Sequence, residues 1–60
     1  MNDETTWLEF DSIEHETEKA YLICFSGEEI WVPKSVVHAW NKDQSEVEIS
    51  EWFCELEGLT

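Results

Sequence analysis

The stretch Lys19–Pro33, KAYLICFSGEEIWVP, leaves the chain little freedom. Ala20 to Phe25 is an unbroken run of apolar, strand-forming side chains, followed by the turn pair Ser26-Gly27 and a second apolar segment, Glu28 to Val32. A short apolar run, a Gly-containing pair and a return run predict a β-hairpin, with Gly27 supplying the positive φ that a tight turn demands. Pro33 has no N–H to give a ladder, so the pairing is expected to end there. Period two places Tyr21, Ile23 and Phe25 on one face of the first strand and Ala20, Leu22 and Cys24 on the other. Both faces are apolar. In a chain of 60 residues that predicts a strongly curled sheet or a small barrel, with a helix available to cover the second face.

The flanking segments extend the pattern. In WLEFDSI, Leu8 and Phe10 alternate with Trp7, Glu9 and Asp11, which predicts a strand with the first pair inward. The alternation continues as carboxylates at Glu14, Glu16 and Glu18, on the same strand or in a loop after it. Val36 to Trp40 reads as a further strand after a short turn at PKS, NKDQS as a polar loop, and EVEIS as a strand with Val47 and Ile49 inward. A C-terminal helix follows, with Ser50 at its N-cap and Gly58 at its C-terminal cap. Helical spacing puts Trp52, Leu56 and Leu59 on one face, Phe53 beside it and Cys54 away. Residues 1–6 are polar and expected to fray. The fold class is therefore mainly β (α+β): one domain over residues 1–60, a curled antiparallel sheet or SH3-like barrel of four to five strands, and a short helix.

Charge bounds the function. Fifteen Asp and Glu face three Lys and no Arg, a formal net charge of -12. Such a surface repels phosphate, which disfavours direct nucleic-acid or anionic-membrane binding and favours basic protein partners. The four Trp lack the positive groove that a stacking platform for single strands needs. Core packing accounts for most of them, with Trp7 or Trp40, at polar boundaries, as candidate interface anchors. His15, Cys24, His38 and Cys54 stand singly rather than in the close pairs of a zinc site, so neither a metal nor another cofactor is expected. No nucleophile–base spacing or phosphate-cradling glycine loop is present, and the protein is expected not to be an enzyme. The opening segment lacks a signal-peptide pattern and the two Cys read as reduced thiols, so the expected location is the cytoplasm.

The stretches EKAYLICFSGEEIWVPKSVV and VEISEWFCELEGL resemble a family of small uncharacterised proteins of phages and prophages. The matching positions are Lys19-Ala20, Gly27, Trp31, Pro33-Lys34-Ser35, Trp52 and Gly58-Leu59, within residues 17 to 59. The resemblance implies a phage setting and a host-cell location, and carries over no activity. In that setting the acidity suggests a DNA mimic that inhibits a basic host nucleic-acid-binding protein, such as an RNA-guided defence nuclease (an anti-CRISPR role). The partner-binding residues would be Glu9, Asp11, Glu14, Glu16, Glu18 and Trp40. Carboxylates at alternate strand positions fall about 6.6 Å apart, against about 3.4 Å of axial rise per phosphate on one DNA strand. The alternative is an accessory module for phage replication or recombination proteins, using the Trp31–Ser35 edge. A homodimer through an exposed strand is a further possible association.

Overall fold

The computed structural model describes residues 4–59. In chain order it comprises β1 (Thr5–Glu9), β2 (Ser12–Glu16), β3 (Ala20–Phe25), β4 (Glu28–Pro33), a 3-10 turn at Lys34–Val36, β5 (Val37–Asn41), β6 (Glu46–Ser50) and α1 (Glu51–Glu57). The strands form two antiparallel three-stranded sheets, ordered β1-β6-β5 and β2-β3-β4. The mainly β fold with one C-terminal helix is as expected. Neither a strongly curled sheet nor an SH3-like barrel of four to five strands forms: six strands make two separate sheets that are not strongly curled.

Backbone chemistry at two junctions explains the separation. The Phe10 N–H donates to the Ser45 carbonyl at 2.9 Å, in the first sheet, and the Asp11 N–H donates to the Cys24 carbonyl at 2.8 Å, in the second. Adjacent amides thus serve different sheets, and the single strand expected over residues 7–13 breaks there into β1 and β2. At the other crossing, Pro33 closes β4 and the 3-10 turn redirects the chain before β5 begins.

The hairpin of β3 and β4 forms as expected, with Phe25 opposite Glu28 across a two-residue loop. Ser26 (φ 53°) and Gly27 (φ 89°) both take positive φ, as a type I′ turn requires. The inner faces meet through Ile23, Phe25 and Val32 from one sheet and Val47 and Ile49 from the other, joined by Val36, Phe53 and Cys54. Each fully buried aliphatic side chain among them contributes about 1.5–3 kcal/mol.

The helix lies on β1 and β6, not on the second face of β3. It follows β6 without a linker, so Ser50 hands the chain straight into it. That entry turns Phe53 and Cys54 inward and leaves Trp52 (56% exposed) and Leu56 (71% exposed) outside; of the face expected from spacing, Leu59 packs against the core and the other two do not. A helix of seven residues is too short for periodicity to choose its buried side. Ser50 occupies the N-cap position but makes no side-chain cap; its Oγ lies 2.8 Å from His38 Nε2 instead. Gly58 is the left-handed C-terminal cap expected (φ 71°). The Gly58 N–H donates to Glu55 O at 3.3 Å and the Leu59 N–H to Cys54 O at 2.8 Å, a Schellman closure.

Of the segment expected to fray, residues 1–3 lie outside the described residues. Thr5 and Thr6 belong to β1, and the Glu4 carbonyl accepts from the Glu51 N–H at 2.8 Å.

Candidate functional site

The six residues proposed from sequence to bind a partner do not form one surface. The reason is a β-bulge. In β2, Ile13 pairs with Ile23 and His15 with Leu22, so Glu14 is an extra residue without a partner. A one-residue insertion reverses the faces that follow it. Glu14 accepts a hydrogen bond from the Ser12 hydroxyl on the outer face, beside the Cys24 row. Glu16, past the bulge, sits opposite Tyr21 on the face that Ile23 buries. There it accepts from Lys34 Nζ at 2.6 Å, and the same ammonium stands 5.0 Å from the centre of the Tyr21 ring. The hydrogen bond to Glu16 raises the Lys34 pKa above 10.5, more than desolvation lowers it. Glu18 lies in the turn between β2 and β3. Asp11 stands at the crossing between sheets, its carboxylate 3.9 Å from the Cys24 thiol. The even ladder of carboxylates over Glu14, Glu16 and Glu18 is absent.

Trp40 is half-buried rather than presented as an anchor. Its ring is edge-on to Phe10, with centroids 5.5 Å apart, and to Tyr21 at 5.2 Å. Trp7, the other candidate, is 45% exposed.

Glu9 leads to the arrangement that sequence reasoning missed. In the first sheet Leu8 pairs with Val47, and Thr6 with Ile49, all on the inner face. The alternate positions face outward: Thr5, Trp7 and Glu9 on β1, Glu46 and Glu48 on the central strand β6, Ala39 and Asn41 on β5. Glu9 stands directly opposite Glu46, and Trp7 directly opposite Glu48. Glu46 and Glu48 are alternate residues of one strand, about 6.6 Å apart. The Thr5 hydroxyl donates to Glu48 Oε2 at 2.5 Å and holds that side chain along the face. Among the described residues the one ion pair is Lys34–Glu16, so Glu9, Glu46 and Glu48 are not ion-paired. Like charges directly opposite in an antiparallel ladder disfavour the fold by about 0.2–1 kcal/mol. The face therefore combines three carboxylates outside any ion pair with a half-exposed indole on one side of a three-stranded sheet.

The remaining chemistry-bearing residues are dispersed. His38 is the bulged residue of β5 and meets Ser50; Cys54 is buried in the core; Cys24 is on the outer side of β3. Both cysteines are free. Burial is the main cause that raises the Cys54 thiol pKa above 9.0, with Glu51 adding to it. Among the described residues no three His, Cys, Asp or Glu side chains are grouped to hold a metal ion. No described helix is long and apolar enough to cross a membrane. Compared with known proteins, the chain matches no family model, no curated protein and no solved structure.

Proposed function

We propose that this protein is a non-enzymatic binding protein that engages a basic, nucleic-acid-binding partner through the outer face of β1-β6-β5 and blocks the partner's nucleic-acid groove. The observation that carries this reading is the Glu9–Glu46 pair, outside any ion pair, with Glu48 in line and Trp7 beside it. A partner cation lying between Glu9 and Glu46 turns a local repulsion into two attractions. Glu46 and Glu48, about 6.6 Å apart, set two negative charges in line, as successive phosphates do along a DNA strand. The net charge of -12 supplies long-range attraction and speed of encounter. Trp7 supplies a large apolar contact of the kind that dominates binding energy. Under this reading the protein acts in the cytoplasm of a host cell, in a phage setting, and antagonises defence or transcription proteins.

The test immobilises the protein, passes host lysate over it and elutes with short duplex DNA. Two variants run beside it: Glu9→Gln/Glu46→Gln/Glu48→Gln, and Glu14→Gln/Glu16→Gln/Glu18→Gln, equal in charge removed. The expected result is a nucleic-acid-binding protein that DNA releases, lost in the first variant and kept in the second. Equal capture by both variants, or a partner that ignores DNA, refutes the reading.

One observation favours the accessory-module alternative. Trp31 is half-exposed on the outer face of the second sheet, in a row with Leu22 and His15 that the helix leaves uncovered. Under that reading Trp31→Ala abolishes capture and the Glu9, Glu46 and Glu48 changes leave it intact.

A further inference from the structure

The inner faces of the two sheets do not cover each other completely. At one end, Phe10, Ile13, Tyr21, Trp40, Lys42 and Ser45 line an open groove of about 470 Å³. Four of these are apolar or aromatic, and Ile13, Tyr21 and Trp40 occupy inward positions by register. Ile13 is opposite the fully buried Ile23, yet 43% of it is exposed, because the groove opens at that point. The groove is a consequence of the split sheets: a closed barrel would have zipped this end shut.

Its charge is the opposite of the surface around it. Carboxylates outnumber lysines fifteen to three in the chain, yet the groove is lined by one lysine and no carboxylate. Lys34, held over the Tyr21 ring, is already paired with Glu16 and adds no net charge to that wall, so Lys42 is the cation the groove offers. A smaller concavity of about 220 Å³ beside the helix shows the contrast, with Glu4, Glu51 and Glu55 around Trp52. Among occupants of the larger groove, a second copy of the chain is opposed by a charge of -12 on each partner. A basic side chain would meet the Lys42 ammonium. An apolar body with one negative group fits both the aromatic walls and the cation.

We propose that this groove binds a small aromatic anion, its ring seated against Phe10, Tyr21 and Trp40 and its carboxylate or sulfonate met by Lys42 Nζ, with the Ser45 hydroxyl at the same rim. The volume is within the range of about 300–1,000 Å³ usual for small-molecule sites. The T-shaped contacts of Trp40 with Phe10 and Tyr21 fix the walls before any ligand arrives. This site is independent of the acidic sheet face.

The probe is 8-anilinonaphthalene-1-sulfonate, with the neutral N-phenyl-1-naphthylamine as its uncharged counterpart. Binding is followed by probe fluorescence and by backbone amide shifts of the full chain. Lys42→Glu and Lys19→Glu make the same change in net charge at two exposed positions, the second away from the groove. The expected result is saturable binding of the sulfonate with shifts at residues 10, 13, 21 and 40. Lys42→Glu weakens it by about tenfold and Lys19→Glu by less than about twofold. Equal loss in the two variants, equally tight binding of the neutral counterpart, shifts confined elsewhere, or no saturable binding overturns the proposal. Because both positions are exposed, both variants are expected to keep the wild-type amide dispersion, which separates loss of the site from loss of fold.

Discussion

Glu9 and Glu46 stand across from each other outside any ion pair, so removing one charge should strengthen the fold. The structure sets the size. A directly opposed like-charge pair disfavours an antiparallel ladder by about 0.2–1 kcal/mol, and neither side chain makes a hydrogen bond that Gln would lose. Glu9→Gln and Glu46→Gln should each stabilise by about that amount. The double variant should gain little beyond either single, because the first change already removes the interaction. Urea unfolding followed by tryptophan fluorescence reads this out. With a slope near 1 kcal/mol/M for so small a domain, the midpoint rises by about 0.2–1 M without a change in slope. In 1 M NaCl, where the screening length falls to about 3 Å, the gain should shrink toward zero. Additive gains, destabilised single variants, or a gain that persists in high salt would refute the argument that this pair is strained by charge. The same substitutions should weaken capture of a basic partner, so a more stable and poorer binder is the combined signature.

Three further outcomes follow from the packing. Cys54 is buried and its thiol pKa is raised chiefly by that burial, so iodoacetamide at neutral pH should label Cys24 at least about tenfold faster, by mass spectrometry of the native protein. A raised folded pKa means that the stability from keeping Cys54 protonated is complete below 9.0 and declines as pH rises from there through the folded value. Ile49, fully buried in the core between the two sheets, should tolerate Ile49→Val at about 0.5–1.5 kcal/mol, whereas Ile49→Ala at about 2–5 kcal/mol approaches the whole stability of a 60-residue domain, about 3–9 kcal/mol; calorimetry distinguishes the two. Because the Ser50 hydroxyl meets His38 and not the helix N-terminus, Ser50→Ala and His38→Ala should be non-additive, with a coupling of about 0.5–1.5 kcal/mol in a double-mutant cycle.

Local signals carried the hairpin, the inward set Leu8, Val47 and Ile49, and the Gly58 cap, because each is decided within a few residues. Features set by distant pairing were not legible. The alternation of EVEIS points Glu46 and Glu48 outward, but nothing local says that β6 takes β1 as its neighbour, which brings Glu9 across from Glu46. The helix face failed for a related reason. Trp52 and Leu56 are larger apolar side chains than Cys54, and only the entry from β6 shows that Cys54 is the one turned inward. Trp40 at a polar boundary resembled an exposed anchor, yet the crossing at Phe10-Asp11 supplies it with an aromatic neighbour that spacing could not reveal.

The bulge at Glu14 gives the sharpest separation of pattern from structure. Along the sequence, Glu14, Glu16 and Glu18 repeat with a perfect period of two, but the ladder skips from Ile13–Ile23 to His15–Leu22. Deleting Glu14 should therefore make Ser12, Ile13, His15 and Glu16 contiguous partners of Cys24, Ile23, Leu22 and Tyr21, with every remaining side chain on its present face. Deleting Ile13 instead puts Glu14 opposite Ile23, where a carboxylate replaces an apolar wall of the groove between the sheets. Bulges on an edge strand such as β2 add twist and deter pairing with other chains, so the first deletion should leave the melting temperature within a few degrees, about 4–8 °C per kcal/mol for a domain of this size, while raising the tendency to self-associate at low pH. The second should lower the melting temperature and abolish sulfonate binding. If deleting Glu14 unfolds the protein, or shifts the amides of β3 and β4 as strongly as those of β2, then the extra residue sets the register of the whole sheet rather than adding one unpaired position to its edge.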